Sequence, residues 1–262
     1  MPTVLPAMWN RSGDGSLELR REHVLDVDPA LGDDLDPESL RSATAELLAP
    51  VVPIEWAEHS GVWGPSRPEG HLGLLILDGL LLREVRLSGS CSAEVLGEGD
   101  LLRPWDVDGE YLLPVPAEVS WTVLARCEVA VLNAQFLRRA ARWPEVLARL
   151  TGRSVGRAKA LAVHDVVTNL KHVETRLLVQ FWHLAERWGR VCPESISIPM
   201  PLTHEILAKL IGVTRPSVTT GLGRLAARGL LVRDGDGVWH LSHQARAALE
   251  PMPVQPETRL VS

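Results

Sequence analysis

Cysteine is scarce in this 262-residue chain: Cys91, Cys127 and Cys192 stand far apart and share no metal-type spacing. No four-cysteine cluster for iron and sulfur is available, and the three read as reduced thiols of a cytoplasmic protein. No run of eighteen apolar residues exists, so no membrane span is expected. The opening stretch "MPTVLPAMWNRSGDGS" lacks a basic segment followed by an apolar one, so no secretory signal is expected either. No His-x-His pair occurs, and a metal-dependent cupin enzyme would need clustered histidine and carboxylate ligands. No catalytic residue, metal ligand or cofactor is assigned.

What is present is a globular composition, 45% hydrophobic and 23% charged, of a length that suits two domains. The net charge of −6 is unevenly spread. Residues 1–135 hold 9 Lys/Arg against 23 Asp/Glu, whereas residues 136–191 hold 11 against 4. A local basic field can attract phosphate whatever the total. Ordinary solvated helix faces would give the same count.

Along the chain the pattern divides into an acidic segment 1–50, a β-unit 51–135, a helical region 136–172, a second unit 173–250 and a disordered tail 251–262. A helix is expected between Pro37 and Pro50. In "LGLLILDGLLLREVRL", Asp78-Gly79 divides two apolar runs and reads as the turn of a β-hairpin. "EVSWTVLA" and "CEVAVLN" read as two strands joined at Ala125-Arg126, with Val119, Trp121 and Val123 alternating. Short strands and frequent turns suggest a small barrel or jelly roll.

From Phe136 the period becomes helical. One long helix carries a stripe at Leu147, Leu150, Ser154, Ala158 and Leu161, and a second at Val155, Ala162, Val163, Val166 and Leu170. Two apolar faces mean two packing partners, one the β-unit and the other a second copy of the helix. The first stripe, through Leu147, Leu150, Ser154 and Leu161, is the expected dimer seam. A helix buried within a monomer is the alternative.

The segment "LTHEILAKLIGVTRPSVTTGLGRLAARGLL" reads as helix, turn, helix. Thr203 caps "HEILAKLI", Gly212 permits the sharp turn, and Thr214 caps the next helix, with Pro216 in its first turn. Two short strands follow, "LLVRD" and "GVWHLS", with "DGDG" as the tip between them, so the unit is a winged helix-turn-helix. In such a motif the head of the second helix enters the major groove. Arg215 is placed to offer its guanidinium fork to guanine. The hydroxyls of Ser217, Thr219 and Thr220 can meet phosphates or base edges. Arg224 and Arg228 lie further along, suited to phosphate. The alternative is a winged helix used for protein contact, with Arg215 solvated.

With these residues the chain resembles the Crp–Fnr family of bacterial transcription regulators, most clearly over the helix-turn-helix and weakly over residues 50–250. The resemblance implies an α+β chain: an N-terminal β-roll of jelly-roll or cupin-like form, a long dimerisation helix and the winged helix. It implies a homodimer on a palindromic operator of double-stranded DNA, with RNA polymerase and a small-molecule effector as candidate partners. By position, the family's phosphate-contacting threonine falls on Thr203, beside His204. Its recognition arginine falls on Arg215, and its later base readers on Pro216 and Thr220, which depart from the best-known pattern.

The sensing roll departs further. "LGEGDLL" looks like the family's glycine turn, but the arginine that neutralises the cyclic phosphate falls on Val119, followed by Ser120 and Trp121. An insertion, "RPWDVD", precedes Gly109-Glu110. A buried phosphate without a cation is strongly disfavoured, so control by cyclic AMP is not expected. Arg103, Trp105, Asp106, Glu110 and Trp121 remain as a ligand-binding group, or the tryptophans are core. His59 and His71 are available as haem ligands, though a lone histidine in a β-unit is more often structural. The runner-up function is a cupin-like small-molecule-binding protein or metal-dependent enzyme with an accessory winged helix.

Overall fold

The computed structural model describes residues 20–54, 59–60, 70–103 and 117–249. The expected tail 251–262 and the first nineteen residues lie outside them, as do Trp105, Asp106 and Glu110. The chain divides into two compact units, Met1–Val163 and His164–Ser262.

In the first unit, Asp36 sets the start of α2, Pro37–Glu46, by accepting from the N–H groups of Glu38 and Ser39 at 3.0 and 3.1 Å. This is the helix expected between Pro37 and Pro50. It follows β1 (Arg21–His23) and the single turn α1 (Val24–Val27), and leads into β2 (Leu48–Ile54). The sheet is completed by β3 (His59–Ser60), β4 (Gly73–Leu87), β5 (Ser90–Gly97), β6 (Leu101–Leu102) and β7 (Glu118–Leu132). Its order is β1-β2-β7-β4-β5, with β3 on β7 and β6 on β4, all antiparallel.

Two expectations fail together at the centre of this sheet. Asp78-Gly79 is not a hairpin turn, and Ala125-Arg126 does not join two strands. Instead β4 and β7 are each one strand of 15 residues, and their register shifts around Asp78 and Leu80. Gly79 has φ +94°, and a Cβ there would stand 2.0 Å from the Arg126 carbonyl oxygen. The positive φ serves a β-bulge at a close backbone approach. The hairpin turn comes later, at Ser88 and Gly89, between β4 and β5.

The bulge decides which side chains face which core. Before it, Leu75 and Leu77 enter one cluster and Leu74 and Ile76 the other; beyond it, Leu81 joins the set of Leu74 and Ile76. An unbroken strand would have sent residue 81 to the opposite face. The first cluster holds Val24, Leu25, Leu31 and Leu47 against Leu75, Leu132, Phe136, Val146 and Leu150, so the acidic segment is built into this unit from Arg20 onward. The second holds Ile54, Leu74, Ile76, Leu96, Trp121, Cys127 and Val129. Helices α3 (Ala134–Ala140) and α4 (Pro144–Thr168) follow the sheet, and the division between units falls inside α4.

The second unit contains α5 (Val173–Trp188), β8 (Arg190–Val191), β9 (Ser195–Ile198), α6 (His204–Ile211), α7 (Arg215–Ala227), β10 (Leu231–Arg233) and β11 (Trp239–Ser242). The sequence anticipates β10 and β11, but no strand is expected within "CPESISIPMP". Ser195–Ile198 is in fact a strand, and the sheet has four strands in the order β10-β11-β9-β8. Leu177, Phe181, Leu210, Ile211, Val218, Leu225 and Leu241 fill the core, with Phe181 and Trp239 rings 5.0 Å apart.

Candidate nucleic-acid interface

Two helices and a tight turn present the candidate reading surface. The Thr203 hydroxyl accepts from the Ile206 N–H at 3.2 Å and caps α6. Gly212 ends α6 in the left-handed region at φ +64°, where a side chain would be strained. Thr214 occupies the cap position of α7, but its hydroxyl bonds to Ser217 Oγ at 2.9 Å rather than to the main chain. The cap expected of Thr214 is therefore positional only.

Val218, Gly221, Leu222 and Leu225 form the buried face of α7. Arg215, Pro216, Thr219, Thr220, Gly223 and Arg224 are exposed, and Ser217 is half-buried. The polar lead of the helix thus faces outward, as its composition suggested. Thr219 is already engaged: its hydroxyl donates to the Arg215 carbonyl at 3.2 Å and is hydrogen-bonded to His204 Nδ1 at 2.9 Å. His204 and Thr219, two residues expected at DNA, are brought together as a tie between α6 and the first turns of α7. Thr220 stays on the outer face, beside that tie.

Arg224 reaches Glu174, in the first turn of α5, at 2.7 Å while staying 68% exposed. The Arg224 guanidinium holds the Glu174 carboxyl below the usual range. Sequence reasoning missed Glu174, whose partner is fifty positions away. At the wing tip Asp234 accepts from the Asp236 and Val238 N–H groups and pairs with His240 Nε2 at 2.8 Å. The His240 bond holds the Asp234 carboxyl low, and Arg233 Nε donates to the Gly237 carbonyl at 3.1 Å, so the tip carries charges of both signs.

The remaining candidate groups lie in the first unit or on α4. Trp121 is buried in the second cluster of the first unit, and the Arg83 guanidinium carbon lies 5.9 Å from its ring centroid. Arg103 donates to the Leu72 carbonyl at 2.9 Å. Val119 packs against the same cluster as Trp121. Leu150 is fully buried in the first cluster, and Leu147 packs against it. Leu150 belongs to its own unit's core, which corrects its assignment to a dimer seam, whereas Leu147 is half-buried. Ser154 and Leu161 are exposed. The open apolar face of α4 is the second stripe, where Val155, Val163 and Val166 are 50%, 61% and 63% exposed.

The basic character of the 136–191 segment also has a local explanation. Arg149 donates to Asp34 at 2.7 Å, Arg153 to Asp28 at 2.7 Å, and Arg157 to Glu94 at 2.6 Å. Four-residue spacing puts these arginines on one face of α4, against acidic residues of the same unit. That stripe is engaged within the protein and is not a free field for phosphate. Among the described residues no group of three or more His, Cys, Asp or Glu could hold a metal ion, and no helix is long and apolar enough to cross a membrane.

Residues 175–251 match the Crp-like helix-turn-helix domain. No curated protein matches the sequence. Among solved structures, the chain is similar to FixK2 from Bradyrhizobium japonicum, with 16% identity, 79% of this chain and 99% of that one covered, and a TM-score of 0.58. A CooA variant from Carboxydothermus hydrogenoformans gives 15% identity, 92% and 98% coverage and 0.60. A transcriptional regulator of the CRP/FNR family from Thermus thermophilus gives 18%, 77% and 98%, and 0.56. Residues 175–251 thus carry a Crp-like helix-turn-helix domain, and the chain shares the fold of these solved regulators.

Proposed function

We propose that the chain is a sequence-specific transcriptional regulator that binds a two-fold operator as a homodimer in the cytoplasm, and that cyclic AMP does not control it. The observation that carries the reading is the outward polar head of α7, with Arg215 exposed at its first position and apolar residues confined to the other face. Arg215 offers the fork that suits guanine, Thr220 a methyl and hydroxyl for base edges, and Thr203 a hydroxyl for phosphate. The second stripe of α4, through Val155, Ala162, Val163 and Val166, supplies the seam for a second copy. Val119 and buried Trp121, where a phosphate-binding arginine and a small residue would stand, support independence from cyclic AMP. An effector of another kind, and contact with RNA polymerase, belong to this reading as partners still to be found.

Selection of bound genomic fragments tests it, followed by Arg215→Ala on the selected site. That variant should lose about 1–3 kcal/mol on the site and relax base choice there. Arg224→Ala should weaken all sequences alike and flatten the salt dependence. Equal losses of Arg215→Ala on selected and random DNA would remove Arg215 as a base reader. A raised wild-type melt with cyclic AMP would overturn the sensing claim.

A further inference from the structure

Glu94 sits on β5 between two arginines from different elements. Arg157 of α4 grips it with a fork, Nε to Oε2 at 3.0 Å and Nη2 to Oε1 at 2.6 Å. Arg83 of β4 adds Nη1 to Oε1 at 2.8 Å. The Glu94 side chain is only 14% exposed, and the arginines about as shielded, at 22% and 21%. Register explains the gathering: Arg83 is directly opposite Glu94 on β5 and Trp121 on β7, one row across three strands. Arg157 Nη1 also reaches the Leu101 carbonyl at 3.4 Å, which fixes the guanidinium plane.

Two guanidiniums converging on one oxygen make a seat shaped for a carboxylate or similar small anion. Without an anion between them they repel in a half-desolvated place. We propose that Arg83 and Arg157 form an anion seat whose permanent occupant is Glu94, so the chain itself supplies the anion that locks α4 to the roll. The two earlier pairs of the same stripe, Arg153 with Asp28 and Arg149 with Asp34, keep α4 docked when Glu94 is removed. The emptied seat then keeps its form and accepts a small carboxylate from solution. An anionic effector would have to displace Glu94, and none is required for docking. The seat lies wholly within the first unit and is independent of DNA binding.

The experiment is chemical rescue of the full chain. Glu94→Ala should melt several degrees below wild type in chloride. Sodium formate at matched ionic strength should return at least half of that shift, saturably, while the wild type and the double variant Glu94→Ala/Arg157→Ala do not respond. Equal effects of formate and chloride on Glu94→Ala, or equal rescue of the double variant, would overturn the seat. If Glu94→Ala does not fold in chloride, recovery of folded protein in formate supports the proposal. If it folds in neither salt, Glu94→Gln decides, since it keeps the volume and loses the charge: a wild-type melt overturns the proposal, and a lowered melt supports it.

Discussion

At the scale of single residues, environment separates groups that composition treats alike. Burial, with Asp78 and Glu128 adding to it, pushes the Cys127 thiol up to about 12, whereas Cys91 and Cys192 are half-buried. A thiol this reluctant to ionise is a poor nucleophile. Alkylation of the native protein at neutral pH should therefore modify Cys91 and Cys192 and spare Cys127 until denaturant is added. Mass spectrometry showing rapid native labelling of Cys127 would contradict its buried position. Glu94 behaves in the opposite sense: burial alone would raise its pKa, but bonds from Arg157 and Arg83 outweigh it and hold the carboxyl low. A depressed folded value means the stabilisation is present above the ordinary glutamate range and disappears as pH falls through the lower folded value. Melts of wild type and Glu94→Gln should thus differ at neutral pH and converge in acid. A gap that widens in acid would reverse the sign and exclude this account. The exposed position of Arg215 at the head of α7 was legible in the sequence because it depends on its own helix start. The engagement of Thr219 by His204 and of Arg224 by Glu174 was not, since each needs a partner supplied by another helix.

At the scale of elements, the same local signal served a different purpose from the one its spacing suggested. A positive-φ glycine after aspartate is compatible with a turn or with a bulge. The partner strand β7 decides, by bringing the Arg126 carbonyl to where a Cβ would be. Gly79→Ala should therefore cost about 2–4 kcal/mol, combining strain at positive φ with a backbone clash. Denaturant melts read this directly, and a loss below about 1 kcal/mol would mean the two strands part easily there. The helices α2, α6 and α7 were legible because their caps, turn and prolines lie beside them in sequence. Strand β9 was not, because four residues between prolines carry too little pattern, and β11 supplies the pairing. In α4 both stripes were visible as periods. Which one met the roll depended on Phe136, Val146 and the N-terminal Leu31 and Leu47 gathering around Leu150, a tertiary fact.

At the scale of the whole molecule, exposure of the second stripe gives the assembly prediction. Ala162→Arg would place like charges facing each other in a two-fold seam and should dissociate the dimer while leaving the monomer melt near that of wild type. Sedimentation of wild type as a monomer, both free and on selected DNA, would remove the seam. Ala162 is exposed, so a large loss of monomer stability is not expected from that change. The acid-to-base asymmetry of the chain has a further meaning in time. Asp28 and Arg153 are 125 residues apart, and Asp34 and Arg149 are 115 apart. During synthesis the acidic stretch leaves the ribosome on the order of ten seconds before its arginines, at typical elongation rates. For most of that interval Val24, Leu25 and Leu31 await Leu132, Phe136, Val146 and Leu150, which complete their core, and the carboxylates of Asp28 and Asp34 await the arginines that pair with them.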